Sequence, residues 1–106
     1  MTKWICTDPD EHQWQRRLDD GRYEMVGVTW IGYLEEVQYS AAHGVFDLSD
    51  YTNDFEYIFE TYCDEEDMSD DRLAECVFEC NVCDFDLESF DTEAEAVAWI
   101  NKFMEG

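Results

Sequence analysis

Residues 76–88 read CVFECNVCDFDLE, and the reading of this stretch decides how the C-terminal half folds. Asp84-Phe85-Asp86-Leu87-Glu88 alternates acid and apolar strictly, as a half-buried strand does. With Asn81-Val82 as a two-residue turn, Cys80 would face Cys83, Phe78 would face Phe85 and Cys76 would face Leu87, all on one side of a hairpin. Glu79, Asp84, Asp86 and Glu88 would then point to water. Against this, valine resists the positive φ that a type I′ turn requires. Leu73, Cys76, Val77 and Cys80 also fall at the i, i+3, i+4, i+7 spacing of a helix face. The alternation favours a helix that stops near Glu75, followed by the hairpin.

Upstream, Phe55, Ile58, Phe59 and Tyr62 repeat the same helical spacing, with Asp54, Glu56 and Glu60 off that face. Asp64-Glu65-Glu66-Asp67 interrupts the pattern, and Ser69-Asp70-Asp71 can start a new helical turn. Downstream, Thr92-Glu93-Ala94-Glu95 is a capping box ahead of the stripe Ala96, Trp99, Ile100 and Phe103. Nearer the N-terminus, Arg22 to Ile31 is rich in β-branched and aromatic residues and reads as a strand with Val26, Val28 and Trp30 on one face. Lys3–Cys6 and Gly44–Leu48 read as short strands, and Tyr33 to Ser40 fits neither period. Thr7-Asp8-Pro9-Asp10-Glu11 reads as a helix start capped by Asp8, with Asp20-Gly21 as the stop. These elements predict a single α+β domain over residues 1–106, an antiparallel sheet of three to five strands with two to four helices packed on it. Phe55, Ile58, Phe59, Phe85, Leu87, Trp99, Ile100 and Phe103 are its expected core.

A chain of 106 residues has the length of one domain. It carries 28 acids against six lysines and arginines, a net charge of −22, yet 16% of it is aromatic, which disordered acidic tails are not. No apolar stretch approaches the roughly 20 residues of a bilayer span, and Asp8 and Asp10 follow the first residues too closely for a signal peptide. A soluble, cytoplasmic protein is expected. Five cysteines is an odd number, which argues for reduced thiols rather than a disulfide framework.

Motifs of catalysis are absent: no GxSxG, P-loop, GxGxxG or HExxH occurs. His12 and His43 read as surface residues, so no catalytic residue is assigned and no enzyme is expected. Asp64 to Glu75 has the length of a calcium-binding EF-hand loop, but Met68 stands where an oxygen ligand is needed and Ser69 where glycine allows the turn. Cys80-Asn81-Val82-Cys83 is a CxxC, the spacing that grips one side of a tetrahedral zinc. Cys6, Cys63, Cys76, His12 and His43 supply no second CxxC or CxxH. Cys80 and Cys83 therefore read first as small buried hydrophobes. No cofactor is expected, and a zinc-binding adaptor built on Cys80 and Cys83 is the alternative.

The acids themselves are the remaining signal. Residues 1–53 hold ten of them beside Lys3, Arg16, Arg17 and Arg22, whereas residues 54–106 hold eighteen beside Arg72 and Lys102. Asp84, Asp86 and Glu88 on one strand face would recur about every 6.6 Å, and Glu56 and Glu60 are one helical turn apart, about 6 Å. Duplex DNA carries a charge per about 1.7 Å of axis. A folded face bearing such an array can take the place of phosphates for a basic nucleic-acid-binding protein, while nucleic acid and anionic membranes are repelled. The expected partner-binding residues are Asp54, Glu56, Glu60, Asp64, Glu65, Glu66, Asp67, Asp70, Asp71, Glu79, Asp84, Asp86 and Glu88. The bland alternative is that these acids only solvate the surface, as in a salt-adapted protein. In size and composition the chain resembles the small acidic inhibitors of phages and mobile elements, anti-CRISPR and anti-restriction proteins among them. That resemblance implies a binding function directed at a protein or complex that handles nucleic acid.

Overall fold

The computed structural model describes residues 3–33, 36–62 and 64–105. Five strands, β1 (Ile5–Asp8), β2 (Gln13–Arg17), β3 (Tyr23–Tyr33), β4 (Glu36–Phe46) and β5 (Asp86–Phe90), form one sheet in sequence order with every pair antiparallel. Three helices, α1 (Phe55–Thr61), α2 (Asp70–Cys80) and α3 (Glu93–Glu105), cover it. The expected α+β architecture holds, with helices on both faces of the sheet.

The longest ladder joins β3 to β4, from Tyr23 opposite Phe46 to Tyr33 opposite Glu36. Successive strand side chains point to opposite faces, so this register sorts the core. Tyr23, Met25, Ala42 and Phe46 go to the face packed by Ile58 of α1 and by Leu73, Ala74, Cys76, Val77 and Phe78 of α2. Val26, Val28 and Ala41 go to the other face, against Ala96 and Ile100 of α3. The strand expected over Arg22–Ile31 is β3, with Val26 and Val28 on one face as read; the Trp30 side chain lies outside the described residues. Of the indeterminate segment Tyr33–Ser40, Tyr33 ends β3 and residues 36–40 belong to β4, while the supposed separate strand Gly44–Leu48 is the end of β4 as far as Phe46, with Leu48 opening a 3-10 turn; β3 offers β4 an uninterrupted ladder to pair with.

Residues 76–88 fold by the rival reading. Helix α2 starts at its Ser69 cap, whose hydroxyl accepts from the Arg72 N–H at 3.2 Å, and runs on to Cys80. Burial of Leu73, Cys76 and Val77 against the sheet outweighs the local alternation, and no hairpin forms at Asn81-Val82. Asn81 ends the helix, its Nδ2 donating to the Val77 carbonyl at 2.9 Å and to Asp54 Oδ2 at 3.0 Å. The alternating segment does become a strand, β5, but it pairs with β4. Phe85 stacks near Phe46 and Phe78 at centroid distances of 5.4 and 5.5 Å, over Gly44, where a Cβ would come within 2.7 Å of the Phe85 ring. Leu87, expected in the core, is 44% exposed. It sits on an edge strand whose covering helix, α3, packs through Phe90 and Trp99 on the opposite face. Phe55, Phe59, Phe85, Trp99 and Phe103 are half-buried, and Ile58 and Ile100 are buried completely.

The helix expected after Asp8 is replaced by a tight turn and β2. Asp8 does cap, its Oδ1 accepting from the N–H groups of Asp10 at 3.0 Å and Glu11 at 3.3 Å. At His12, however, φ is +50°, which ends the turn and reverses the chain into a strand that buries Gln13 and Gln15. The Thr92 cap of α3 is present: its hydroxyl accepts from the Glu95 N–H at 3.3 Å and donates to the Glu95 carboxylate at 3.0 Å.

His43, expected at the surface, lies between the sheet and α3. Its ring stacks on Phe103 at 3.9 Å and its Nε2 is 2.7 Å from Glu24, which also receives the Arg16 guanidinium at 2.6 Å. A buried carboxylate persists only with such partners. Ile58→Ala and Ile100→Ala are each expected to lower the unfolding free energy by about 2–5 kcal/mol, and Leu87→Ala by about 1 kcal/mol or less. Urea denaturation of the three variants checks this, and equal losses at Ile100 and Leu87 would contradict the assigned faces.

Candidate acidic interface

The expected partner-binding acids occupy four places. Asp54, Glu56 and Glu60 begin and line α1. Asp64 precedes a 3-10 turn made by Glu65, Glu66 and Asp67, and Asp70 and Asp71 open α2. Glu79 lies in the last turn of α2, with Asp84 in the short turn beyond it. Asp86 and Glu88 are on β5. Glu56, Glu60, Asp64, Glu65, Glu66, Asp67, Asp70, Asp84 and Glu88 are exposed, and among the described residues none has an ion-pair or side-chain hydrogen-bond partner. The observed pairs of the arginines lie elsewhere: Arg16 with Glu24, Arg22 with Asp20 and Arg72 with Glu75.

The structure brings some of these acids together and separates others. Asp54 and Asp84, with Asp50, surround Tyr51, whose hydroxyl is pushed up by burial and then by those carboxylates. Asp86 and Glu88 pair with His43 and Ala41, so they belong to the α3 side of the sheet, away from α1 and α2. The three-acid strand face expected over Asp84, Asp86 and Glu88 is therefore divided, because β5 begins only at Asp86. Asp71 is engaged within the fold, where its carboxylate accepts the Tyr23 hydroxyl at 2.9 Å.

Glu79 belongs to a cluster that the sequence reading did not assemble. Its carboxyl is pushed up by burial first and then by Glu75, Glu11 and Asp8. Glu11 is pushed up in turn by burial, Asp8, Asp10 and Glu75. Glu75 and Glu79 are one helical turn apart, a signal that the hairpin reading concealed. Asp8 and Glu11 reach α2 only because the N-terminal segment turns back on itself.

Cys80 is exposed at the end of α2 and contacts the Tyr62 hydroxyl, so it is not the buried apolar residue expected. The Cys83 side chain and Cys63 lie outside the described residues. Among the described residues no group of three or more His, Cys, Asp or Glu side chains is placed to hold a metal ion, and no helix is long and apolar enough to cross a membrane. Comparison with protein-family models, curated proteins and solved structures gives no match.

Two buried groups set a stability limit at high pH. Burial, followed by the hydrogen bond to Asp71, pushes the Tyr23 hydroxyl from an ordinary 10.0 up to about 12. Burial pushes the Cys76 thiol from 9.0 up to about 11. Each folded group holds its proton more tightly than in the unfolded chain, so its stabilisation is complete below the unfolded value and is lost as pH rises through the folded one. Urea midpoints are expected to fall steadily between pH 9.0 and about 12. Tyr23→Phe is expected to flatten the upper part of that fall and Cys76→Ala the lower part. Unaltered slopes in both variants would contradict the burial of these groups.

Proposed function

We propose that the protein acts by binding rather than catalysis: its carboxylates stand in for nucleic acid phosphates and occupy a basic nucleic-acid-binding protein, in the manner of the anti-defence inhibitors it resembles. The observation that supports this is the exposed run Glu56, Glu60, Asp64, Glu65, Glu66, Asp67 and Asp70, to which no cation of the described residues is paired. Acids that serve only solubility gain from interspersed cations. A one-sign face repels itself and costs stability, and it gives in return a field that steers basic surfaces to it.

An interface of this kind is read through salt and through grouped substitutions. One exposed pair is worth at most about 1 kcal/mol, so single acid-to-alanine changes are expected to do little. Converting Asp64, Glu65, Glu66 and Asp67 to lysine together is expected to abolish capture of the partner from a lysate of the source cell, with the far-ultraviolet spectrum unchanged. Converting Asp86 and Glu88, which lie on the other side of the sheet, is expected to weaken capture less. Wild-type capture should fall steeply as salt is raised. Capture that is indifferent to salt and to both sets would contradict the proposal.

A further inference from the structure

Between the N-terminal turn and α2 lies a partly open cavity of about 310 Å³. Three carboxylates stand at it: Asp8 at the end of β1, Glu11 in the turn that follows and Glu79 in the last turn of α2. The rest of the wall is apolar, built from Gly27, Val28, Ala42, Phe78 and Val82. Gln13 also lines the cavity; it is 2% exposed, and its amide oxygen has no hydrogen-bond donor among the described residues. A buried acceptor without a donor is rare in a folded protein and asks for a partner. Asp8 Oδ1 is taken up by the N–H groups of Asp10 and Glu11, but Glu79 asks for a partner too, since Arg72, the cation that bears on it, is already paired with Glu75 at 3.0 Å.

Several acceptors, a surplus of negative charge and an aromatic wall describe a particular guest. A guanidinium brings five N–H donors in one plane, stays charged at every relevant pH and lies well against an aromatic ring. An ammonium brings fewer donors and is more strongly hydrated. A metal ion would need converging ligands, and no such group exists among the described residues. We infer that this cavity takes the guanidinium of an arginine side chain, the anchor by which the basic partner is held. The inference rests on the proposed function for the source of the arginine, but the cavity's chemistry can be tested without any partner.

The ¹⁵N-labelled full chain is titrated with N-acetyl-arginine methylamide, its lysine counterpart and the neutral citrulline counterpart. The arginine compound is expected to give saturable shifts centred on the amides of Gln13, Gly27 and Glu79, and the citrulline compound none. Glu79→Gln, which removes the charge and keeps the side chain's size, should weaken that binding at least tenfold. Gly27→Ala gives a second test, because its Cβ would meet Phe78 Cε2 at 3.5 Å and Gln13 Cγ at 3.6 Å, ordinary contacts that allow folding while narrowing the cavity. Shifts that stay linear and spread over the acids of α1 and residues 64–67, equal binding of citrulline or lysine, or indifference to both variants would each overturn the inference. Partner capture that keeps its salt dependence in wild type and is undiminished in both variants would overturn the anchor and leave the mimic reading standing.

Discussion

The register of the β3–β4 ladder is the constraint on which the molecule depends. Two eleven-residue strands pair along their whole length, and the side-chain period of two lets one ladder serve two cores. Tyr23 and Met25 meet α1 and α2, and Val26 and Val28 meet α3. A slip of one residue would exchange these sets and present Glu24 to the face packed by α1 and α2. The same ladder brings His43 within reach of Glu24, and the β2–β3 pairing sets Arg16 opposite it, with the Arg16 guanidinium 4.6 Å from the centre of the Trp4 ring. In a chain of net charge −22, one of few cations is thus committed to an acid that the sheet buries.

Elements whose own period carries enough signal were legible in the sequence. β3 is long and rich in β-branched residues, and α3 has both a capping box and an apolar stripe, so each stands where it was expected. Where two periods overlap, the tertiary environment decides. Residues 73–80 fit a helix and 84–88 a strand, and the boundary falls at Asn81 because the sheet buries Cys76 and Val77 while Val82 resists the tight turn. Asp8 is a cap in either reading; nothing local indicates that His12 will take φ +50° and send Gln13 into a strand. The strand expected over Gly44–Leu48 is only the end of the longer β4, because pairing with β3 extends back beyond what local propensity marks and stops at Phe46.

The candidate acidic interface was legible as composition and much less so as geometry. The sequence identifies which residues are acidic, and the structure leaves Glu56, Glu60, Asp64, Glu65, Glu66, Asp67 and Asp70 exposed. Which acids share a neighbourhood depends on contacts between distant segments. Asp86 and Glu88 leave the group because β5 pairs with β4, and Asp8 and Glu11 join Glu79 because the N-terminal segment folds back. The resulting surface combines a broad, exposed array suited to long-range attraction with a partly enclosed acidic cavity suited to close contact. Attraction at long range sets the rate of encounter and enclosure sets the residence time, which is how the proposed inhibitor would use the two features.

Competition for the partner tests the central claim most directly. A fluorescently labelled nucleic acid is bound to the captured partner, and its anisotropy is followed as this protein is added. If the carboxylates occupy the site of the phosphates, anisotropy falls to the value of free nucleic acid at a saturating concentration of the protein, and more of the protein is needed when more nucleic acid is present. An unchanged or raised anisotropy, meaning that the partner holds both molecules at once, would contradict that claim.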